Sequence, residues 1–238
     1  MAKRNAPSGP CRLCGVVGEL CHSHVIPEFM YKDLYDGNHR GVIANAYSAG
    51  REEVFQKGYR EYLLCQACET RFSGWETPAT PVWRGMLQLL RGAAPGSVFT
   101  VPANYATLKL FSLSILWRAS IAAHDNFAAV DLGSFEPLVR SMLLSRTPGA
   151  VTEFQSLAVA WANLNDLVGV IGPCTRGEWS GIPTFRFNIS GIQWFFFLEP
   201  AAGSLSPHPA VTHKGFTVVV SKDDEDKEKL RMAQTMPL

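Results

Sequence analysis

Apolar residues recur every three or four positions between Asn104 and Ala123. Leu108, Phe111, Ile115 and Ala119 form one stripe, widened by Leu110, Ser114 and Trp117. That spacing predicts an α-helix, the strongest in the chain. Val82 to Arg91 repeats the pattern with Trp83, Met86, Leu87 and Leu90. Phe135 to Leu144 predicts a shorter helix, stopped by Thr147-Pro148-Gly149. Pro95 to Pro102 reads as a loop or short strand. Beyond residue 150 the period changes. Phe154 to Trp161, Leu167 to Ile171, Thr184 to Ile189, Ile192 to Leu198 and Phe216 to Ser221 are short runs rich in Val, Ile, Phe and Trp, with turn residues between them. They predict strands. FRFNI and IQWFFFL, joined by Ser190-Gly191, predict an antiparallel hairpin. The charged run from Asp223 to Gln234 predicts a final short helix.

The first third is patterned differently. Residues 1–10, with two prolines and a glycine, read as a disordered leader. Leu20 to Ile26 predicts a strand and Pro27 to Tyr35 a helix; Asp36 to Gly50 reads as a loop. The later part of Val54 to Leu64 predicts a second strand. A helix starting near Ala67 would carry Glu69, Phe72 and Glu76 on one face. Thr77 to Pro81 (TPATP) breaks the pattern and is the expected linker. The expected class is therefore α+β, in three parts. Residues 1–10 are the leader, 11–80 a ββα module, and 81–238 a helical segment followed by an antiparallel sheet.

Composition narrows this. With 238 residues and 47% hydrophobic content, the chain can bury a sizeable core. A net charge of +1 does not advertise a nucleic-acid partner, although a local basic face is compatible with it. The polar start MAKRNAPSGP has no apolar signal core, and no apolar run is long enough to span a bilayer. A cytoplasmic protein without a membrane partner is expected, with its six cysteines reduced.

Four of those cysteines form two CxxC pairs, Cys11/Cys14 and Cys65/Cys68. Thiolates in two short pairs suit one tetrahedral zinc ion. Neither pair opens a thioredoxin-like helix after a strand with Pro or Gly between the cysteines, and Gly15 follows the first pair where the chain must curl back. The module has few apolar residues of its own, so the metal is expected to supply much of its folding energy. Cys21 and Cys174 read as plain buried or half-buried thiols. Trp179 beside Arg176 fits either an interface or a sheet edge. The sequence has no Walker loop, dinucleotide glycine fingerprint or GxSxG elbow.

The order CRLCG, SHVIP, LLCQACE resembles the zinc-knuckle HNH endonucleases, also called ββα-metal or His-Me finger enzymes, whose pattern is CxxCG…DHIxP…LCxxCN. The likeness covers roughly residues 11–76, and Trp117–Ser120 (WRAS) resembles a further segment of an uncharacterised bacterial subgroup. The resemblance implies that His24 is the general base. It places Ser23 at the family's metal-binding aspartate and Glu69 at its helix-opening ligand, with Glu76 two turns further along the same face. It also implies a structural zinc on the four cysteines, a catalytic magnesium or manganese ion, and a nucleic-acid substrate, DNA before RNA. A role in bacterial or phage defence or mobile elements would follow from it.

The departures from that pattern matter. A neutral serine is a poor magnesium ligand, so the carboxylate would have to come from Glu69. His22, two residues before His24, could join His24 and Glu69 around a softer metal. Arg60, Arg71 and Lys32 are the candidate phosphate contacts. A different reading is a catalytically silent zinc module that binds nucleic acid or a protein partner. The near-neutral charge would fit a partner, or a homo-oligomer, that supplies basic surface.

Overall fold

The computed structural model describes residues 6–31, 40–43, 53–56, 58–160, 172–179, 182–198 and 208–221. It is mixed α+β. The first sheet has three antiparallel strands in the order β1-β2-β5: β1 (Ser8–Pro10), β2 (Val17–His24) and β5 (Arg60–Cys65). The strand expected over Leu20 to Ile26 is thus shifted towards the N-terminus. The expected leader is correspondingly shorter, because Ser8–Pro10 pairs with Val17–Glu19. Only a single 3-10 turn, Glu28–Met30, follows Pro27 in the described part of the helix expected there. Two strands, β3 (Arg40–Ile43) and β4 (Glu53–Gln56), pair in a region read largely as loop.

β5 leads directly into α1 (Gln66–Leu90). This helix corrects the expected domain boundary, since it runs without interruption through Pro78 and Pro81. Each proline removes one backbone donor and would normally end a helix. Here the buried series Phe72, Trp75, Ala79, Val82, Trp83, Met86 and Leu90 continues across both. Tertiary burial of that stripe outweighs the local cost.

α2 (Tyr105–Ile121) begins at Asn104, whose side chain accepts a hydrogen bond from the Thr107 amide at 3.0 Å. The sequence predicts a stripe, but every residue from Leu108 to Ala119 is buried. α2 is a central helix covered on all sides. Its buried Lys109 donates to the carbonyls of Glu153 and Phe154, which satisfies the ammonium. α3 (Glu136–Ser145) packs beside it.

The second sheet has seven strands: β6 (Val98–Val101), β7 (Ser156–Ala160), β8 (Thr175–Trp179), β9 (Ile182–Ile189), β10 (Ile192–Phe197), β11 (Val211–Thr212) and β12 (Gly215–Val220). Its order is β11-β12-β7-β10-β9-β8, with β6 also on β12. The β9–β10 hairpin has the expected register, Ile189 opposite Ile192. Ser190 and Gly191 both have positive φ, as a primed turn requires. The sheet is mixed rather than purely antiparallel, because β12 runs parallel to β7.

One apolar cluster joins both sheets through α1 and α2. Trp194 on β10 lies at its centre, with ring centroids 6.3 Å from Trp83, 6.4 Å from Phe111 and 5.3 Å from Phe216. The Met30 carbonyl accepts from Trp83 Nε1 on α1 and from the hydroxyl of Ser190 in the hairpin turn. The segment after SHVIP is therefore tied to the far sheet. No described helix is long and apolar enough to cross a membrane. Lys32, Trp161, the strand expected at 167–171 and the helix expected at 223–234 lie outside the described residues.

Candidate metal centre and the surroundings of His24

The first CxxC pair sits on a tight turn. The Gly15 amide donates to the Cys11 carbonyl, the Cys11 amide donates to the Val16 carbonyl, and Gly15 takes φ +78. A glycine is needed there, since other residues rarely adopt that φ. The second pair straddles the start of α1: Cys65 is its N-cap and Cys68 lies in its first turn. The pairing of β2 with β5, together with the Arg12 amide bonded to the Leu63 carbonyl, brings the two turns together.

The four sulfur atoms lie within 4.8 Å of one another. Cys14 and Cys65 are 3.8 Å apart, and all four thiols are free of disulfides. A tetrahedron with Zn–S bonds of about 2.3 Å has edges of about 3.8 Å, so the donor set fits a zinc ion. Burial pushes the Cys11 thiol up, but hydrogen bonds from the Cys14, Cys65 and Leu13 backbone outweigh it and hold it at about 7. Burial and hydrogen bonding with neighbouring thiols push Cys68 well up. Crowded thiols that cannot all ionise suit a divalent cation, because coordination deprotonates them outright. Arg140 on α3 braces this turn from outside, donating from Nε to the Leu13 carbonyl at 2.7 Å.

From this cluster β2 continues to Ser23 and His24. A bulge between Cys21 and His22 shifts the β2–β5 register, and such bulges re-aim side chains. Ser23 faces α1, fully buried, and donates to Glu69 Oε2 at 2.7 Å. His24 pairs across the sheet with Arg60, and its Nε2 accepts from Arg60 Nε at 2.8 Å. Arg60 also approaches the Glu28 carboxylate at 3.9 Å.

Burial, followed by the charge of Arg60, lowers the His24 pKa from 6.5 to about 4. The imidazole is neutral at pH 7. A lowered pKa in the fold means full stability above about pH 6.5 and a loss as pH falls towards 4, where the unfolded chain binds the proton first. A His24→Gln variant is expected to lack that part of the acid sensitivity. The difference should be up to about 3 kcal/mol, reduced by solvent screening of this half-buried ring. Chemical denaturation of both proteins at pH 7 and pH 4.5 measures it, and parallel pH dependence would refute the assignment.

Other residues singled out from the sequence are placed as follows. His22 is exposed and stacks on Tyr62, with centroids 4.7 Å apart and planes 19° from parallel. It does not join His24 and Glu69 in a metal-holding group; among the described residues the four cysteines form the one such group. Arg71 is engaged elsewhere, donating to the Leu143 and Leu144 carbonyls at the end of α3. Glu76 pairs with Arg118 of α2 at 2.8 Å.

Arg118 is the residue that local sequence reasoning could not place. It is 1% exposed, donates to the His24 carbonyl at 2.8 Å, and bonds the Ser114 carbonyl and hydroxyl. Its guanidinium lies 5.1 Å from the centre of the Phe72 ring. The WRAS string marked the position but not the contact. Cys174 is a buried thiol, and Cys21 a half-buried one at 3.5 Å from Gln66 Oε1. Trp179 packs edge-on against Phe195 and Phe197 on the large sheet.

No known protein family, curated protein or solved structure matches this chain at a significant level.

Proposed function

We propose that the chain is a metal-dependent nuclease of the HNH type that hydrolyses phosphodiester bonds, with the four cysteines holding a structural zinc. The observation that carries the reading is the 2.7 Å bond between Ser23 and Glu69, one residue from His24. It puts a carboxylate beside the position where the resembling family has its aspartate. The negative charge is moved from strand to helix rather than lost. A magnesium or manganese ion held there by Glu69 would stabilise charge on the scissile phosphate.

His24 is neutral and can take a proton from water once its Nε2 is free. In the resting arrangement that nitrogen is occupied by Arg60. A phosphate oxygen is a stronger partner for a guanidinium than an imidazole nitrogen is. A bound phosphodiester would therefore draw Arg60 away and expose the base. Arg118, through the His24 carbonyl, fixes the strand end while this happens.

The same Arg60–His24 bond favours a second reading, a silent nucleic-acid-binding module in which His24 serves only to orient Arg60. Plasmid and single-stranded substrates incubated with magnesium, manganese or chelator separate the two. The nuclease reading expects metal-dependent cutting that drops by at least about a hundredfold in His24→Ala and Glu69→Gln. Absence of cutting by the zinc-loaded wild type under every metal condition would favour the silent module.

A further inference from the structure

Strand β8 (Thr175–Trp179) ends the large sheet. It pairs with β9 on one side, and among the described residues no strand lies on the other. Arg176, Gly177 and Glu178 are exposed, and Trp179 is 36% exposed. A free edge presents unpaired amides and carbonyls, and proteins commonly guard it with lysine, proline or a bulge. Thr-Arg-Gly-Glu-Trp has none of these. The register says which backbone groups are free. Glu178 lies opposite Pro183, whose carbonyl points the other way and accepts from the Leu198 amide at 3.3 Å. Glu178 and Pro183 are thus a pair without mutual hydrogen bonds, so the Glu178 amide and carbonyl point away from β9. By alternation those of Arg176 do too, while those of Gly177 point towards β9. The chain's own fold does not call for Gly177. Its φ is not positive, and a Cβ there would meet only Thr184 Oγ1, at an ordinary 3.8 Å. Glycine weakens a strand, and in one it often marks the close approach of another backbone.

We infer that β8 is a dimerisation edge, pairing antiparallel with β8 of a second copy of the chain about a twofold axis at Gly177. In that register Arg176 of each copy stands opposite Glu178 of the other. These are the two residues whose backbone groups are free, so the charged pairs are also the hydrogen-bonded pairs. Gly177 meets its own copy at the position without mutual bonds, where Cα atoms approach to about 4.5 Å and side chains crowd most. The same patch serves both copies, as a twofold interface requires. The neighbouring registers that keep the hydrogen bonds set Arg176 against Arg176, or Glu178 against Glu178, and like charges directly opposite are disfavoured. A five-residue edge is a small interface, so the dimer is reversible and concentration-dependent. The inference stands apart from the nuclease reading and needs no cutting.

Sedimentation velocity on the zinc-loaded full-length protein, from about 1 to about 200 µM, should show a monomer–dimer equilibrium. Arg176→Glu and Glu178→Arg should each weaken the dimer about ten- to a hundredfold, because each turns both facing pairs from attractive to repulsive. Both residues are exposed, so the melting temperature of the monomer should stay at the wild-type value. The double variant, Arg176→Glu with Glu178→Arg, should return to within about threefold of wild type. Mixing the two single variants should give a heterodimer tighter than either variant alone, since every facing pair is then of opposite charge. A wild type that is monomeric throughout would overturn the inference and leave the edge to a strand of another protein. A dimer indifferent to both reversals, or single variants that fail to associate on mixing, would overturn it too.

Discussion

A Cys68→Ser variant is expected to lose its metal and its tertiary structure together. Cys68 is 3% exposed in the first turn of α1, and its sulfur belongs to a set of four within 4.8 Å. Structural zinc in such sites contributes on the order of 10 kcal/mol or more, about the whole stability of an ordinary domain. The effect should not stay local. Leu13, Leu20 and Leu64 around the cluster belong to the same apolar core as Trp194. Elemental analysis should find one zinc per wild-type chain, and chelator should lower its melting temperature steeply. Cys21→Ser, altering a thiol outside the cluster, should keep both metal and melting point. A metal-free Cys68→Ser protein that melts like wild type would show that the cysteines do not staple this fold.

Arg118→Met should cost about 2–4 kcal/mol, somewhat less than losing one partner of a fully buried ion pair, because Glu76 keeps 23% exposure. Arg118 is 1% exposed and its Glu76 partner lies 2.8 Å away. The variant leaves the Glu76 carboxylate without its counter-charge and the His24 carbonyl without its donor, while methionine roughly fills the space over Phe72. Replacing both members, Arg118→Met with Glu76→Met, should recover a large part of the loss, since no uncompensated charge remains buried. Denaturant titration of the two single variants and the double gives the interaction directly. Strict additivity would mean that Arg118 is not coupled to Glu76 and acts through its other contacts, the His24 carbonyl among them.

Some of this was legible in the sequence because it is local. The CxxC spacing marks ligand chemistry within four residues, and the helix over Asn104 to Ala123 follows from its own period. The FRFNI–IQWFFFL hairpin was equally readable, because a two-residue turn sets its register. What escaped depends on distant partners. TPATP reads as a break because each proline lacks an amide, and nothing local shows that Trp75, Ala79 and Trp83 are all claimed by one core. The parallel pairing of β12 with β7 joins Val219 to Val159 across a long stretch of chain. Between β2 and α1, the sequence singles out Ser23 and Glu69 separately, but their contact needs the strand and the helix packed together. Arg71 was read as a phosphate contact on charge alone, and its direction towards α3 is set by tertiary packing. The pairing of His24 with Arg60 depended on a bulge that no pattern announces.

The uninterrupted α1 also bears on how such a chain can be inherited. Its first turn carries Cys68 and Glu69, and its later turns carry Trp83 and Met86 into the core shared with the large sheet. A recombination breakpoint between residues 77 and 81 would cut this helix mid-length and strand the apolar side chains on both halves. The cysteine-bearing segment of this chain is therefore a poor cassette for shuffling between genes, and it travels with the sheet that covers its helix or not at all.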